Sequence, residues 1–261
     1  PVAPNNVYCA GDDQTLAFLK DVLGEVTELF PTSYIHIGGD ECPKGRWNNC
    51  PKCQARIKDK NLKDAHGLQS WFVQQMDKYL ADHGRRLIGW DEILEGGLAP
   101  GAAVMSWRGV SGGIAAAQQG HDVIMTPTSH AYFDYAQGEP GLEPFSIGGN
   151  IPLERVYAFE PVPSVLTPEQ ATHILGAQGN VWTEYMKTPD RVEWMVFPRM
   201  IAMAEVTWSP ASARDWERFI ARLPRLRELA VAKERREAGE LLEPHHFVEV
   251  HSELRLDLLV G

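Results

Sequence analysis

No stretch of this chain approaches the roughly 20 consecutive apolar residues that a membrane-spanning helix needs, so no membrane span is expected. No basic run relieves its acidity either. With 25 Lys and Arg against 35 Asp and Glu, the formal net charge is -10. That balance repels phosphate backbones and excludes nucleic acid as an expected partner. Cysteine is scarce: Cys9, Cys42, Cys50 and Cys53 are the four in 261 residues. Cys42-x7-Cys50-x2-Cys53 could supply three zinc ligands, with Cys9 or His66 as a fourth, but the second C-x-x-C pair that makes such a pattern specific is missing. A disulfide or reduced thiols are the plainer readings, and the expectation is no metal and no cofactor. An initiator Met and a recognisable signal peptide are also lacking. The chain opens at Pro1-Val2-Ala3-Pro4, as a processed chain or a piece of something longer would. A disulfide would point to export. A periplasmic or secreted location is the expectation, which the cysteine count alone does not decide.

What is present is ordinary globular material, 44% hydrophobic and 23% charged, enough for one large α/β domain or two small ones. Thr15 to Phe30 carries Leu16, Leu19, Leu23, Val26, Leu29 and Phe30 at helical spacing, and Pro31 stops it. Tyr34-Ile35-His36-Ile37 reads as a buried strand ending in Gly38-Gly39. A polar loop follows, then a helix from His66 to Asp82. Further strands are expected at Arg86–Trp90, Ala103–Trp107, Asp122–Met125 and His173–Gln178. Helices are expected at Ser111–Gln119 and, as one long element, Arg191–Val206. Strands alternating with helices imply a parallel sheet covered by helices.

Two parallel architectures compete. A doubly wound sheet concentrates its site at one switch point, whereas a barrel gathers residues from many strand ends. Here Asp40-Glu41, Trp90-Asp91, Trp107-Arg108, Tyr132-Asp134 and Trp182-Glu184 all follow strands, which favours the (β/α)8 TIM-barrel type. Only five of eight strands can be counted, so a partial barrel holding the last five is expected. Residues 1–235 are assigned to it and 236–261 to a C-terminal extension. The extension carries a loose alternation over Val248–Val260, after a helix over Asp215–Leu241 interrupted by Pro224.

The strongest chemical signal is His36-Ile37-Gly38-Gly39-Asp40-Glu41. Two glycines allow a sharp turn at a strand end, and two adjacent carboxylates then project into one cleft. Each acid raises the proton affinity of the other, and burial adds to that, so one can stay protonated while its neighbour is an anion. An isolated Asp-Glu pair is usually a solvated turn. The tryptophans change the balance: Trp71, Trp90, Trp107 and Trp182 fall at or beside strand ends, and flat indoles pack well on a sugar face or an acetamido methyl.

These residues resemble a known family. His36 to Glu41 is similar to the H-x-G-G-D-E signature of the family 20 glycoside hydrolases, the β-N-acetylhexosaminidases. Gly89-Trp90-Asp91-Glu92, Ala131-Tyr132-Phe133-Asp134, the run GAQGNVWTE from Gly176 to Glu184 and the run FPRMIAMAEVTW from Phe197 to Trp208 resemble its later blocks in the same order. The resemblance spans about Val7 to Arg222. It implies a retaining exo-enzyme that removes terminal GlcNAc or GalNAc from glycans or chitooligosaccharides. Glu41 is implied as general acid and then base. Asp40 is implied to orient the substrate's 2-acetamido group, whose oxygen attacks the anomeric carbon to form an oxazolinium, an exception to the two-carboxylate scheme. Tyr132 is implied to bond the acetamido oxygen, Asp134 and Glu184 the sugar hydroxyls, and Trp71, Trp90 and Trp182 to wall the acetamido pocket. His36 is implied as a structural hydrogen-bonder. The family's three upstream strands and an upstream Arg do not precede Pro1. The expected partners beyond substrate are therefore a missing N-terminal fragment or further copies in a homo-oligomer, since open sheet edges favour association. A non-catalytic glycan-binding partial barrel is the alternative. A chitinase-type barrel ranks lower, because its D-x-x-D-x-D-x-E strand is not found.

Overall fold

The structure, a computed structural model, describes residues 7–138 and 142–225. The alternation over Val248–Val260 and the expected boundary at residue 235 lie outside the described residues. Two compact units are present, one built from residues up to Thr128 together with Pro161–Gln178, the other from Ser129–Glu160 together with residues from Gly179 onward.

In the first unit, helix α1 (Asp13–Leu29) begins at Asp12, whose carboxylate accepts from the Gln14 N–H at 3.2 Å, a standard way to satisfy an orphan helix donor. Of its expected apolar face only Leu16 is buried, while Leu29 and Phe30 are exposed. Strand β1 (Tyr34–His36) follows. The expected polar loop is instead two helices, α2 (Gly45–Asn49) and α3 (Pro51–Asp59). Pro51 occupies the first turn of α3, where its missing N–H is harmless. Each of the two helices buries a single residue, Trp47 and Cys53, so the sequence carries no amphipathic period to reveal them. Helix α4 (Ala65–Asp82) is capped by Asp64, which accepts from the His66 and Gly67 N–H groups.

Strand β2 (Arg86–Trp90), a 3-10 turn over Asp91–Leu94, strand β3 (Ala103–Ser106), helix α5 (Ser111–Gln118) and strand β4 (Val123–Met125) come next. After helix α6 (Leu153–Tyr157), which belongs to the second unit, α7 (Pro168–Ala171) opens with a reciprocal Thr167–Gln170 capping box and leads to β5 (Ile174–Ala177). All five strands are parallel and lie in the order β1-β2-β3-β4-β5. The order never reverses. A doubly wound sheet must reverse at its switch point, so this is the sequential winding of a (β/α)8-type barrel, present in part. All residues of β3 and four of five in β2 are buried, as strands covered on both faces must be. Leu87, Val104 and Val123 are fully enclosed, each worth about 1.5–3 kcal/mol of burial. Among the described residues β1 and β5 are the sheet's edges.

In the second unit the expected single helix is two, α8 (Pro189–Val196) and α9 (Arg199–Trp208). They break at the cis Phe197–Pro198 bond, where proline offers no N–H to continue the ladder. Residues 216–225 are helical past Pro224, correcting the expected interruption. Phe219 and Leu223 are buried on this segment, and their packing outweighs the one backbone bond Pro224 cannot make.

Candidate active site

The sequence-predicted residues fall four to a unit. In the first, β1 ends at His36 and the backbone turns through Gly38 and Gly39, with φ of +74° and +96°. A Cβ on Gly39 would sit 2.7 Å from the Ile93 Cγ2, so conformation and space both require glycine there. Glu41 itself has φ +43°, an uncommon value for a residue with a side chain. The turn brings Asp40 and Glu41 together with His36 onto one cavity of about 650 Å³, whose other walls include Leu23, Val73 and Met76. Both carboxylates are exposed. The burial expected to hold one of them protonated is therefore not supplied by the described residues, because β1 is an edge strand with no further strand beside it.

The turn is pinned from α4. Buried Gln69 donates to the Gly39 carbonyl at 2.7 Å. Its own oxygen accepts from Lys44, which also donates to the Cys42 carbonyl at 2.8 Å. Sequence reasoning missed Gln69 and Lys44. The available signal was a polar residue on the buried face of an otherwise apolar helix. His36 accepts from the Gly38 N–H at Nδ1, 3.0 Å away, and meets Trp90 edge-on at 4.8 Å between ring centroids. Desolvation lowers its pKa although part of the ring meets solvent, with the Asp40 charge opposing. A neutral imidazole bracing the turn fits the structural role expected for it.

Glu41 also borders a second hollow of about 340 Å³, shared with Lys44, Glu92, Trp107 and Arg108. There the Trp107 indole donates to Glu92 at 2.9 Å. Burial raises the Glu92 pKa, while the Trp107 hydrogen bond opposes the rise. Arg108 is committed to Asp91 at 2.6 Å and to Glu95 at 3.0 Å, which ties the β3 end to the turn after β2. Trp90 is buried at the end of β2 beside His36. Trp71 is elsewhere. Its ring lies 4.7 Å from the Arg56 guanidinium and lines a separate hollow with Asp64 and Gly96. The helical period turns it away from the face that carries Gln69, Val73 and Met76 toward the cavity. Trp107 borders the hollow that Glu41 shares, and the expectation of Trp71 as a wall is corrected accordingly.

In the second unit, Tyr132 bridges Asn180 as an isolated parallel pair, with the Phe133 N–H donating to the Asn180 carbonyl at 2.7 Å and the Asn180 N–H to the Ala131 carbonyl at 2.7 Å. The Asn180 and Trp182 side chains hydrogen-bond the Tyr132 hydroxyl, and burial raises its pKa, so it is a donor at neutral pH. Asp134 is 4% exposed. Burial pushes its carboxyl up to about 6, with the Glu184 charge adding to the rise and Arg199 opposing it. Its Oδ1 has no hydrogen-bond partner among the described residues. Trp182 and Glu184 are exposed. Beneath them Arg199, fully buried, donates to the carbonyls of Phe133 at 2.7 Å, Ile151 at 3.1 Å and Met195 at 2.5 Å. It fixes the backbone between Tyr132 and Asp134. Sequence reasoning quoted Arg199 only within a motif and gave it no role.

The sulfur atoms of Cys9, Cys50 and Cys53 lie within 4.8 Å of one another. Cys42, expected as part of that set, is outside it.

Turn geometry, neighbouring acids and indoles are the features on which comparison with known proteins bears. The sequence profile of the glycosyl hydrolase family 20 catalytic domain matches residues 2–211. A β-hexosaminidase of Porphyromonas gingivalis is 55% identical over 219 residues, covering 84% of this chain and 28% of that protein. One of Vibrio furnissii is 38% identical, covering 77% of this chain and 33% of that protein. The chain thus spans about a third of these relatives. Among solved structures, the exo-β-N-acetylglucosaminidase of Vibrio harveyi bound to N-acetylglucosamine superposes with a TM-score of 0.78 at 31% identity, covering 92% of this chain and 38% of that one. The β-N-acetylhexosaminidase of Bacteroides fragilis gives 0.75 at 29% identity, covering 92% and 50%. With sequential barrel winding, a strand-end Asp-Glu pair and a profile match over most of its length, the chain belongs to glycosyl hydrolase family 20 through that family's catalytic domain.

Proposed function

We propose that the protein containing this chain is a retaining exo-β-N-acetylhexosaminidase that removes terminal β-linked GlcNAc or GalNAc from glycans or chitooligosaccharides by substrate-assisted catalysis. The observation that carries the reading is the Gly38-Gly39 turn, which delivers two adjacent carboxylates to one cavity. In this reading Glu41 protonates the leaving oxygen and then activates water. Asp40 orients the acetamido group and offsets the positive charge that grows on its nitrogen. The acetamido oxygen attacks the anomeric carbon, so the protein need not place a second carboxylate across the ring. Tyr132, kept protonated by burial, donates to the acetamido oxygen. A sugar hydroxyl supplies the donor that buried Asp134 lacks, and Glu184 takes another. Trp90, Trp107 and Trp182 offer apolar faces.

Export to the periplasm or outside the cell belongs to the same proposal, as does completion of the barrel by a further fragment or by other copies of the chain. The exposure of Asp40 and Glu41 supports such completion, since enclosure strengthens every charge interaction in a site. Hydrolysis of a chromogenic β-GlcNAc glycoside by the full-length protein tests the reading, with Glu41→Gln and Asp40→Asn as variants. Each is expected to lose on the order of several kcal/mol of transition-state stabilisation. Near-normal turnover by either variant would remove that residue from its role. A folded protein that binds GlcNAc without hydrolysing it would favour a glycan-binding module.

A further inference from the structure

Three cysteines far apart in sequence converge where a short helix begins. The Cys9 sulfur lies 3.7 Å from that of Cys50 and 3.7 Å from that of Cys53, although 41 and 44 residues separate the pairs. A disulfide requires about 2.05 Å and uses two sulfurs, leaving the third odd. Two thiolates each about 2.3 Å from a tetrahedral zinc ion stand about 3.8 Å apart. The spacing here is that of ligands to a common ion.

We propose that Cys9, Cys50 and Cys53 hold one zinc ion, with the fourth position open to the hollow of about 620 Å³ that these residues line with Tyr8, Arg46 and Trp47. This reverses the expectation drawn from the missing second C-x-x-C, because the third sulfur comes from Cys9, ahead of α1, rather than from a repeat of the motif or from Cys42. Thiolates are the donor set that selects zinc over calcium or magnesium.

The surrounding backbone is arranged for charged sulfur. Cys50 is the N-cap residue of α3, and the N–H groups of Lys52 and Cys53 point at its sulfur. The Gly11 N–H points at the Cys53 sulfur. Such outer hydrogen bonds orient metal ligands and spread their charge. Gly11 is indispensable to this approach. A Cβ there would lie 2.2 Å from the Lys52 carbonyl carbon and 2.4 Å from the Cys53 nitrogen. Trp47, buried beside the sulfurs, donates its indole N–H to the Tyr8 carbonyl at 2.8 Å, so the Cys9 segment is already seated on the helix pair. The ion would therefore clamp the segment before α1 to α3, inside the loop that follows Glu41. This site shares no ligand with the proposed sugar chemistry and stands whether or not that chemistry does.

Metal analysis of the full chain purified without chelator tests it. Close to one zinc per chain is expected, with Cys9→Ser, Cys50→Ser, Cys53→Ser and Gly11→Ala each losing it and Cys42→Ser keeping it. Because a ligand variant can be lost to misfolding, cobalt substitution of the wild-type chain provides a second readout. Thiolate-to-cobalt charge transfer and the intense visible bands of a tetrahedral ion are expected. A folded, metal-free chain that takes up no cobalt and has titratable thiols at all three positions would overturn the proposal. So would an intact mass short by two hydrogens that reductant restores, showing a disulfide among the three.

Discussion

Replacing Asp134 with asparagine gives a stability change whose sign and size follow from the structure. The carboxyl is 4% exposed, and burial pushes it up to about 6 from an ordinary 3.8. In the unfolded chain it returns to the ordinary value. Between those two values the native state binds the proton more tightly than the unfolded state. Stability therefore falls as pH rises from 3.8 towards 6, and the loss is complete above it. The gap corresponds to about 3 kcal/mol. The amide of Asp134→Asn keeps the shape and cannot ionise, so this slope should vanish from the variant. Urea unfolding followed by tryptophan fluorescence from pH 4 to 8 measures it, with the difference between variant and wild type cancelling other titrating groups. The variant should gain on the wild type by up to about 3 kcal/mol across that range. The upper bound applies because the new amide must itself find an acceptor. A difference that is flat, or that moves in favour of the wild type as pH rises, would refute the assignment of Asp134 as a carboxyl whose charge is disfavoured by burial.

Arg199→Met removes a buried cation that serves three carbonyls. Urea midpoints should fall by the equivalent of about 3–5 kcal/mol, and a loss below about 1 kcal/mol would show those bonds to be dispensable. Trp71→Leu should leave the KM of the full-length protein for a chromogenic GlcNAc glycoside within about twofold, since only a partly exposed cation–π contact with Arg56 is lost. Trp90→Leu should impair kcat/KM, because it removes the ring against which His36 and the Asp40–Glu41 turn are braced. The reverse ranking in steady-state kinetics would restore Trp71 as a pocket wall.

Much of the sheet was legible because strand residues were both apolar and bounded by turn formers. Arg86–Trp90 is one residue-for-residue match. The barrel winding was legible too, since chemistry-bearing residues followed strand after strand, and the sequential strand order agrees. The helices α2 and α3 were not, since each buries one residue and so shows no period. The break between α8 and α9 hides within a run whose apolar period continues across Pro198. Within the candidate site, the Gly-Gly turn could be read because positive φ leaves a compositional mark. Trp71 could not be placed, since sequence proximity to a strand says nothing about which side of a helix a ring takes. Gln69, Lys44 and Arg199 act through backbone carbonyls, a role that no motif encodes. The cysteine cluster escaped because its third member is 41 residues from the nearer of the other two.

The measurement that bears most directly on the central claim is kcat/KM of the full-length protein for a series of aryl glycosides whose N-acyl group is acetyl, fluoroacetyl, difluoroacetyl and trifluoroacetyl. Each fluorine withdraws electrons from the amide oxygen with little change in size. If that oxygen is the nucleophile oriented by Asp40, the rate constant falls steeply along the series. A rate constant indifferent to fluorine would mean that the amide does not attack, and the account of Asp40 and Glu41 would be wrong.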